Sequence, residues 1–163
     1  MLSTVILVLT CLSVIYTNDT GHISICGDVP VPFGADSTEL LAALRTSPHV
    51  YAGTIVDSTT EVVTYEYVDG YNLRHYRTYM GKFFNRDIIY YPTDGLDRYR
   101  FIGRYEETFR KRAVDSLHKP NSMSYTIYCD DGQQIDASIS SAGPGIRLSI
   151  TSNTVYEMLY EGE

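Results

Sequence analysis

Ser124–Thr151 reads SYTIYCDDGQQIDASISSAGPGIRLSIT, and its periodicity decides the fold class. Tyr125, Ile127 and Cys129 alternate with Ser124, Thr126 and Tyr128. Ile135, Ala137 and Ile139 alternate with Asp136, Ser138 and Ser140. Ile146, Leu148 and Ile150 alternate with Arg147, Ser149 and Thr151. A period of two with Asp131-Gly132 and Gly143-Pro144-Gly145 between the runs predicts an antiparallel meander with one dry face and one polar face. Val155–Tyr160 reads as a last strand or a helical turn.

Upstream, β-branched residues and tyrosines predict strands over His49–Val56, Thr60–Val68 and Tyr71–Tyr79. Asp69-Gly70 is a hairpin signal. A tight turn there sets Val68 against Tyr71 and Tyr65 against Arg74. Tyr65, Tyr67 and Tyr76 then share a face with Arg74. Gly81–Asn85 reads as a loop, Asp87–Tyr91 as a short strand and Thr93–Asp97 as a turn. Tyr99, Phe101 and Tyr105 alternate with Arg98, Arg100 and Arg104, which predicts a strand bearing an arginine stripe.

Two helices are expected. Asp36 and Glu39 form a capping box, Leu40, Leu41 and Leu44 supply an apolar stripe and Pro48 stops the run, giving a helix over 37–46. Phe109, Ala113 and Leu117 recur at i, i+4 and i+8, with acids at the start and His118-Lys119 at the end, giving a helix over 106–118. Arg110, Lys111 and Arg112 read as its solvated face. The class is therefore α+β, predominantly antiparallel sheet, with a β-sandwich carrying two helices as the alternative. The sequence shows no internal repeat.

Met1–Tyr16 is an apolar run of signal-peptide length, with cleavage expected after Ser13 or Thr17. It has no basic residue before the run. Residues 18–163 then form one β-rich domain of a secreted protein, without stable membrane insertion after cleavage. Asn18-Asp19-Thr20 is a glycosylation sequon. His22–Cys26 reads as a short strand. Loss of Cys11 with the signal leaves Cys26 and Cys129, an even number that favours one disulfide in an oxidising compartment.

The charge is uneven. Net charge is −7, yet Arg74–Lys119 carries eleven basic against six acidic residues, locally +5. Fifteen tyrosines and no tryptophan complete an unusual composition. Tyr and Arg dominate protein-binding hot spots. The expected function is accordingly a secreted binding protein engaging an extracellular or host protein through Tyr65, Tyr67, Arg74, Tyr76, Arg98, Arg100 and Arg104. An anionic glycan is a second partner class for the basic segment. The acidic total charge and the secretory signal argue against nucleic acid. No His/Cys/carboxylate spacing for a metal, no phosphate loop and no nucleophile elbow occurs, so no cofactor, metal or catalytic residue is assigned. The alternatives are a secreted hydrolase without a recognisable motif, and a membrane-anchored or structural surface protein should Met1–Tyr16 stay uncleaved.

Overall fold

The computed structural model describes residues 31–128 and 134–153, together with 155 and 157. Met1–Tyr16 with its expected signal, Asn18, the expected strand His22–Cys26, Cys129 and the expected turn at Asp131-Gly132 lie outside the described residues, as does most of Val155–Tyr160.

In chain order the elements are α1 (Ser37–Arg45), β1 (Val50–Asp57), β2 (Val62–Asp69), β3 (Asn72–Tyr79), β4 (Lys82–Tyr90), α2 (Gly95–Arg110), β5 (Asp115–Lys119), β6 (Ser122–Tyr128), β7 (Gln134–Ala142) and β8 (Gly145–Ser152). The eight strands make one antiparallel sheet in the order β1-β2-β3-β4-β8-β7-β6-β5. The class is α+β and mostly β, as the alternation implied. The strands form one continuous sheet, so the sandwich alternative falls away.

The order exposes a plan the sequence does not show. A helix followed by four antiparallel strands occurs twice, and the two units meet where β4 pairs antiparallel with β8. The N-terminal half is α1 with β1–β4; the C-terminal half is α2 with β5–β8.

Both helices cover one face. Leu40 and Leu44 of α1 are buried, and the charge of Arg45 at its end acts on Tyr67 of β2. Phe101, Ile102, Tyr105 and Phe109 of α2 pack inward, with Phe101 stacked on Tyr90 of β4 at 4.2 Å and Phe109 lying 5.8 Å from Tyr125 of β6. Ile135, Ala137 and Ile139 of β7 and Ile146, Leu148 and Ile150 of β8 complete the dry layer. The dry face of the meander is thus the one predicted.

The first helix agrees with its capping box: Glu39 Oε2 accepts from the Asp36 N–H at 3.1 Å. The second helix is displaced from the expected 106–118 to 95–110, and the Arg98–Tyr105 strand is helical. The expected turn at Thr93–Asp97 is its N-terminus, where the Asp94 carboxylate accepts from the Asp97 N–H at 2.8 Å. Phe101, Ile102, Tyr105 and Phe109 fit a helical stripe, and this packing overrides the period-two pattern of arginines and tyrosines. The helix ends where the N–H groups of Arg112 and Ala113 both turn back to the Phe109 carbonyl. The Val114 N–H then bonds to the Thr126 carbonyl, so the chain joins the sheet as β5 instead of continuing the helix. Pro120, expected as a helix stop, sits with Asn121 in the β5–β6 turn, because Lys119 pairs with Ser122. The expected loop at Gly81–Asn85 is mostly β4; its turn is Met80-Gly81, both at positive φ (46° and 77°), which suits a tight hairpin.

Candidate binding surface

The β2–β3 hairpin turns one residue later than expected. Asp69 pairs with Asn72, so Gly70 and Tyr71 form the tip, and Tyr65 meets Tyr76 while Tyr67 meets Arg74. The shift keeps the parity, so Tyr65, Tyr67, Arg74 and Tyr76 do share a face. That face is turned to the helices, not to solvent. Tyr67, Arg74 and Tyr76 are 5%, 7% and 1% exposed, and Tyr65 packs half-buried against the core. Burial is also what raises the Tyr67 phenol above its ordinary pKa. Arg74 donates to Asp69 Oδ2 at 2.8 Å. These four side chains build the core of the N-terminal half and are withdrawn from the surface where the sequence reading placed them.

The arginine stripe is dispersed by the helix. At 100° per residue, Arg100 and Arg104 lie one turn apart on an exposed side of α2, while Arg98 falls on another flank and donates to Ser141 Oγ at 3.2 Å. A stripe of three does not form.

What the fold does bring to the surface is at one end of the sheet. There the β2–β3 tip, the β4–α2 loop, the first turns of α2 and the β7–β8 turn converge. Tyr71 is 88% exposed, Tyr99 76%, Leu96 57% and Tyr91 42%. Bonded loops hold them. Asn72 Oδ1 accepts from the Tyr91 N–H at 3.4 Å, tying the hairpin tip to the loop. Asp97 accepts from the Tyr90 hydroxyl at 2.7 Å and from the Thr93 N–H at 2.9 Å. The Thr93 N–H, then the Tyr90 hydroxyl, hold the Asp97 carboxyl below its usual pKa; the same bond, with burial, raises the Tyr90 phenol. Gly145 completes the packing: a Cβ there would lie 2.9 Å from the Tyr90 carbonyl oxygen and 3.3 Å from the Tyr91 ring.

Sequence reasoning marked the Asp69-Gly70 hairpin but missed Tyr71, Tyr91, Leu96 and Tyr99 as surface residues. The available signal was positional. A residue inside a two-residue turn has no sheet neighbour, and residues beside an N-cap lie before the helix settles onto its core.

The sheet face away from the helices carries a second arrangement. Glu66, His75 and Asp87 lie in one cross-strand row, with Arg77 and Asn85 in the next. Asp87 is fully buried and its Oδ2 receives Arg77 Nη1 at 2.5 Å and Arg147 through Nε at 3.1 Å and through Nη2. Burial works to raise the Asp87 pKa, but Ser149 and the two guanidiniums outweigh it and hold the carboxyl below its usual range. His75 Nε2 is 3.1 Å from Glu66 Oε1. Burial, reinforced by Arg77, lowers the His75 pKa against the opposing pull of Glu66 and Asp87. The chemistry here is charge pairing: one carboxylate oxygen is saturated by two arginines. Across β5–β8 the same face carries a groove of about 390 Å³, lined by hydroxyls such as Ser124, Thr126 and Ser138 and by Asp115 and Asp136. Among the described residues no three His, Cys, Asp or Glu side chains converge as a metal-ligand set.

Comparison of the chain with protein-family models, with curated proteins and with solved structures finds no match.

Proposed function

We propose that the chain is an extracellular binding protein that engages a protein partner through the end of the sheet bearing Tyr71, Tyr91, Leu96 and Tyr99. One observation carries the reading: three tyrosines and a leucine are exposed together on a turn, a loop and the start of α2 that hydrogen bonds already tie together. Aromatic anchors on pre-ordered loops lose little conformational entropy on binding, which is how such surfaces gain affinity. Arg100 and Arg104, exposed on α2 beyond Tyr99, add positive charge to the rim and suit a partner with an acidic border. The test is recovery of a partner from extracellular fluid by the intact chain and by Tyr71→Ala and Tyr99→Ala. Each substitution should cut recovery at least tenfold, the scale of a hot-spot loss. Equal recovery by wild type and both variants overturns the reading.

A further inference from the structure

The outer strands β1 and β5 manage their free edges differently. β5 is five residues long and carries Asp115, His118 and Lys119. Short length and charge are the usual protections of a sheet edge. β1 is eight residues long and has no charged side chain from Val50 to Val56. Val50, Tyr51, Ile55 and Val56 are 69%, 55%, 55% and 65% exposed. Their pairing with β2 sets Tyr51 and Val56 toward the helix side and Val50 and Ile55 toward the other. The edge is therefore apolar on both sides of its outward row of backbone N–H and C=O groups. Among the described residues no strand lies beyond it.

We infer that β1 pairs antiparallel with β1 of a second copy of this chain. A strand added at this edge sets its side chains beside Val50, Ile55 and Val56, so an apolar strand is the one that buries the most apolar surface there. Among the described strands with a free edge, β1 is apolar and uncharged from Val50 to Val56, with Asp57 only at its end, whereas β5 carries Asp115, His118 and Lys119 within five residues. Centred on Ile55, a two-fold contact sets Ile55 against its copy and Thr54 against Val56, and leaves both helix layers on the same side. Within the chain, β4 and β8 already join the two halves by antiparallel pairing. The bulge between Tyr51 and Gly53 confines the regular part to Gly53–Asp57, so the interface is small and the dimer belongs to the weak, concentration-dependent class. Each copy carries −7, so the pair tightens as salt rises.

The test is sedimentation equilibrium of the full secreted chain over a wide concentration range, beside Ile55→Lys. A monomer–dimer equilibrium that Ile55→Lys weakens at least tenfold, with an unchanged melting temperature, supports the proposal. A monomer throughout, or a dimer indifferent to Ile55→Lys, overturns it. Amide exchange of β1 at low and high concentration supplies the second measurement. Protection that grows with concentration is expected. Protection independent of concentration means that another part of the same chain covers the edge, and this too overturns the proposal.

Discussion

The two halves share one plan and differ in what fills it. On the face away from the helices, a single cross-strand row runs from Glu66, His75 and Asp87 in the N-terminal half into Ser149, Ser138 and Ser124 in the C-terminal half. The next row runs from Arg77 and Asn85 into Thr151, Asp136 and Thr126. The N-terminal half covers its open face mainly with charged groups, joined by Arg147 from β8, and the C-terminal half mainly with hydroxyls around Asp136. On the helix face the contrast repeats. The C-terminal half uses isoleucine and leucine, whereas β2 and β3 use Tyr67, Tyr76 and Arg74. Hydroxyls can be satisfied by water one at a time. A carboxylate shared by two arginines cannot lose a member without stranding the others. The N-terminal half should therefore be the more brittle.

The largest expected effect tests that directly. Asp87→Ala leaves Arg77 and Arg147 without their shared carboxylate and should cost about 1.5–3 kcal/mol, the range for hydrogen bonds to a charged group, since both guanidiniums keep some contact with water. Ser138→Ala, in the same row beyond the seam, should stay within about 0.5 kcal/mol. Urea unfolding with a common slope measures both. Similar costs at the two positions would break the comparison.

A smaller effect comes from His75. Its folded pKa is lowered, by burial first and Arg77 second, so its contribution is complete above the unfolded value of about 6.5 and is lost as pH falls from there toward the folded pKa. Thermal unfolding should show stability declining as pH drops from 7 to 5, and His75→Gln should flatten that limb. Asp87, also lowered in the fold, acts at more acid pH, below the usual carboxylate value. The two steps are thus separable. A limb unchanged in His75→Gln would assign the pH dependence to other groups.

The same contrast explains what was legible in the sequence. In the C-terminal meander each residue has one role, so Ile135, Ala137, Ile139, Ile146, Leu148 and Ile150 announce their face by alternation alone. In β2 and β3 both alternating sets contain polar groups, with Tyr67, Arg74 and Tyr76 on one side and Glu66, His75 and Arg77 on the other. Periodicity showed that the first set shares a face; it could not show which face the helices would cover. Tyrosine and arginine suit a half-wet interface as well as a satisfied interior, and α1 decided the matter from elsewhere in the chain. The α2 region failed for a different reason. Arg98, Arg100 and Arg104 meet a period of two by coincidence, while the helical stripe Phe101, Ile102, Tyr105 and Phe109 needs Tyr90 and Tyr125 beneath it to be recognised. The repeated helix-and-four-strand plan left no trace in the residues, because the halves satisfy it with unlike chemistries. The exposed end was legible only at its Asp69-Gly70 tip, since Tyr71 and Tyr91 sit in a turn and a loop without pattern, and Tyr99, which fitted the period of two, stands on α2.

The smallest expected effect concerns the helix starts, which also differ between the halves. Helix α1 opens with the Asp36–Glu39 box, and Asp36 is further paired with Lys82 at 2.7 Å across to β4. That ion pair is exposed, so it adds at most a few tenths of a kcal/mol. Helix α2 relies on Asp94, whose carboxylate accepts from the Asp97 N–H, while the Asp97 carboxylate turns away to Tyr90 and Thr93. Asp94→Ala should cost about 1 kcal/mol, the usual value of an N-cap. Because the first turn of α2 presents Leu96 and Tyr99, fraying there should also loosen the exposed end. Amide exchange should therefore quicken at residues 95–99 in Asp94→Ala while that of α1 is unchanged. If partner binding uses this end, affinity should fall in Asp94→Ala although no contact side chain has been altered, because the loss is one of pre-ordering.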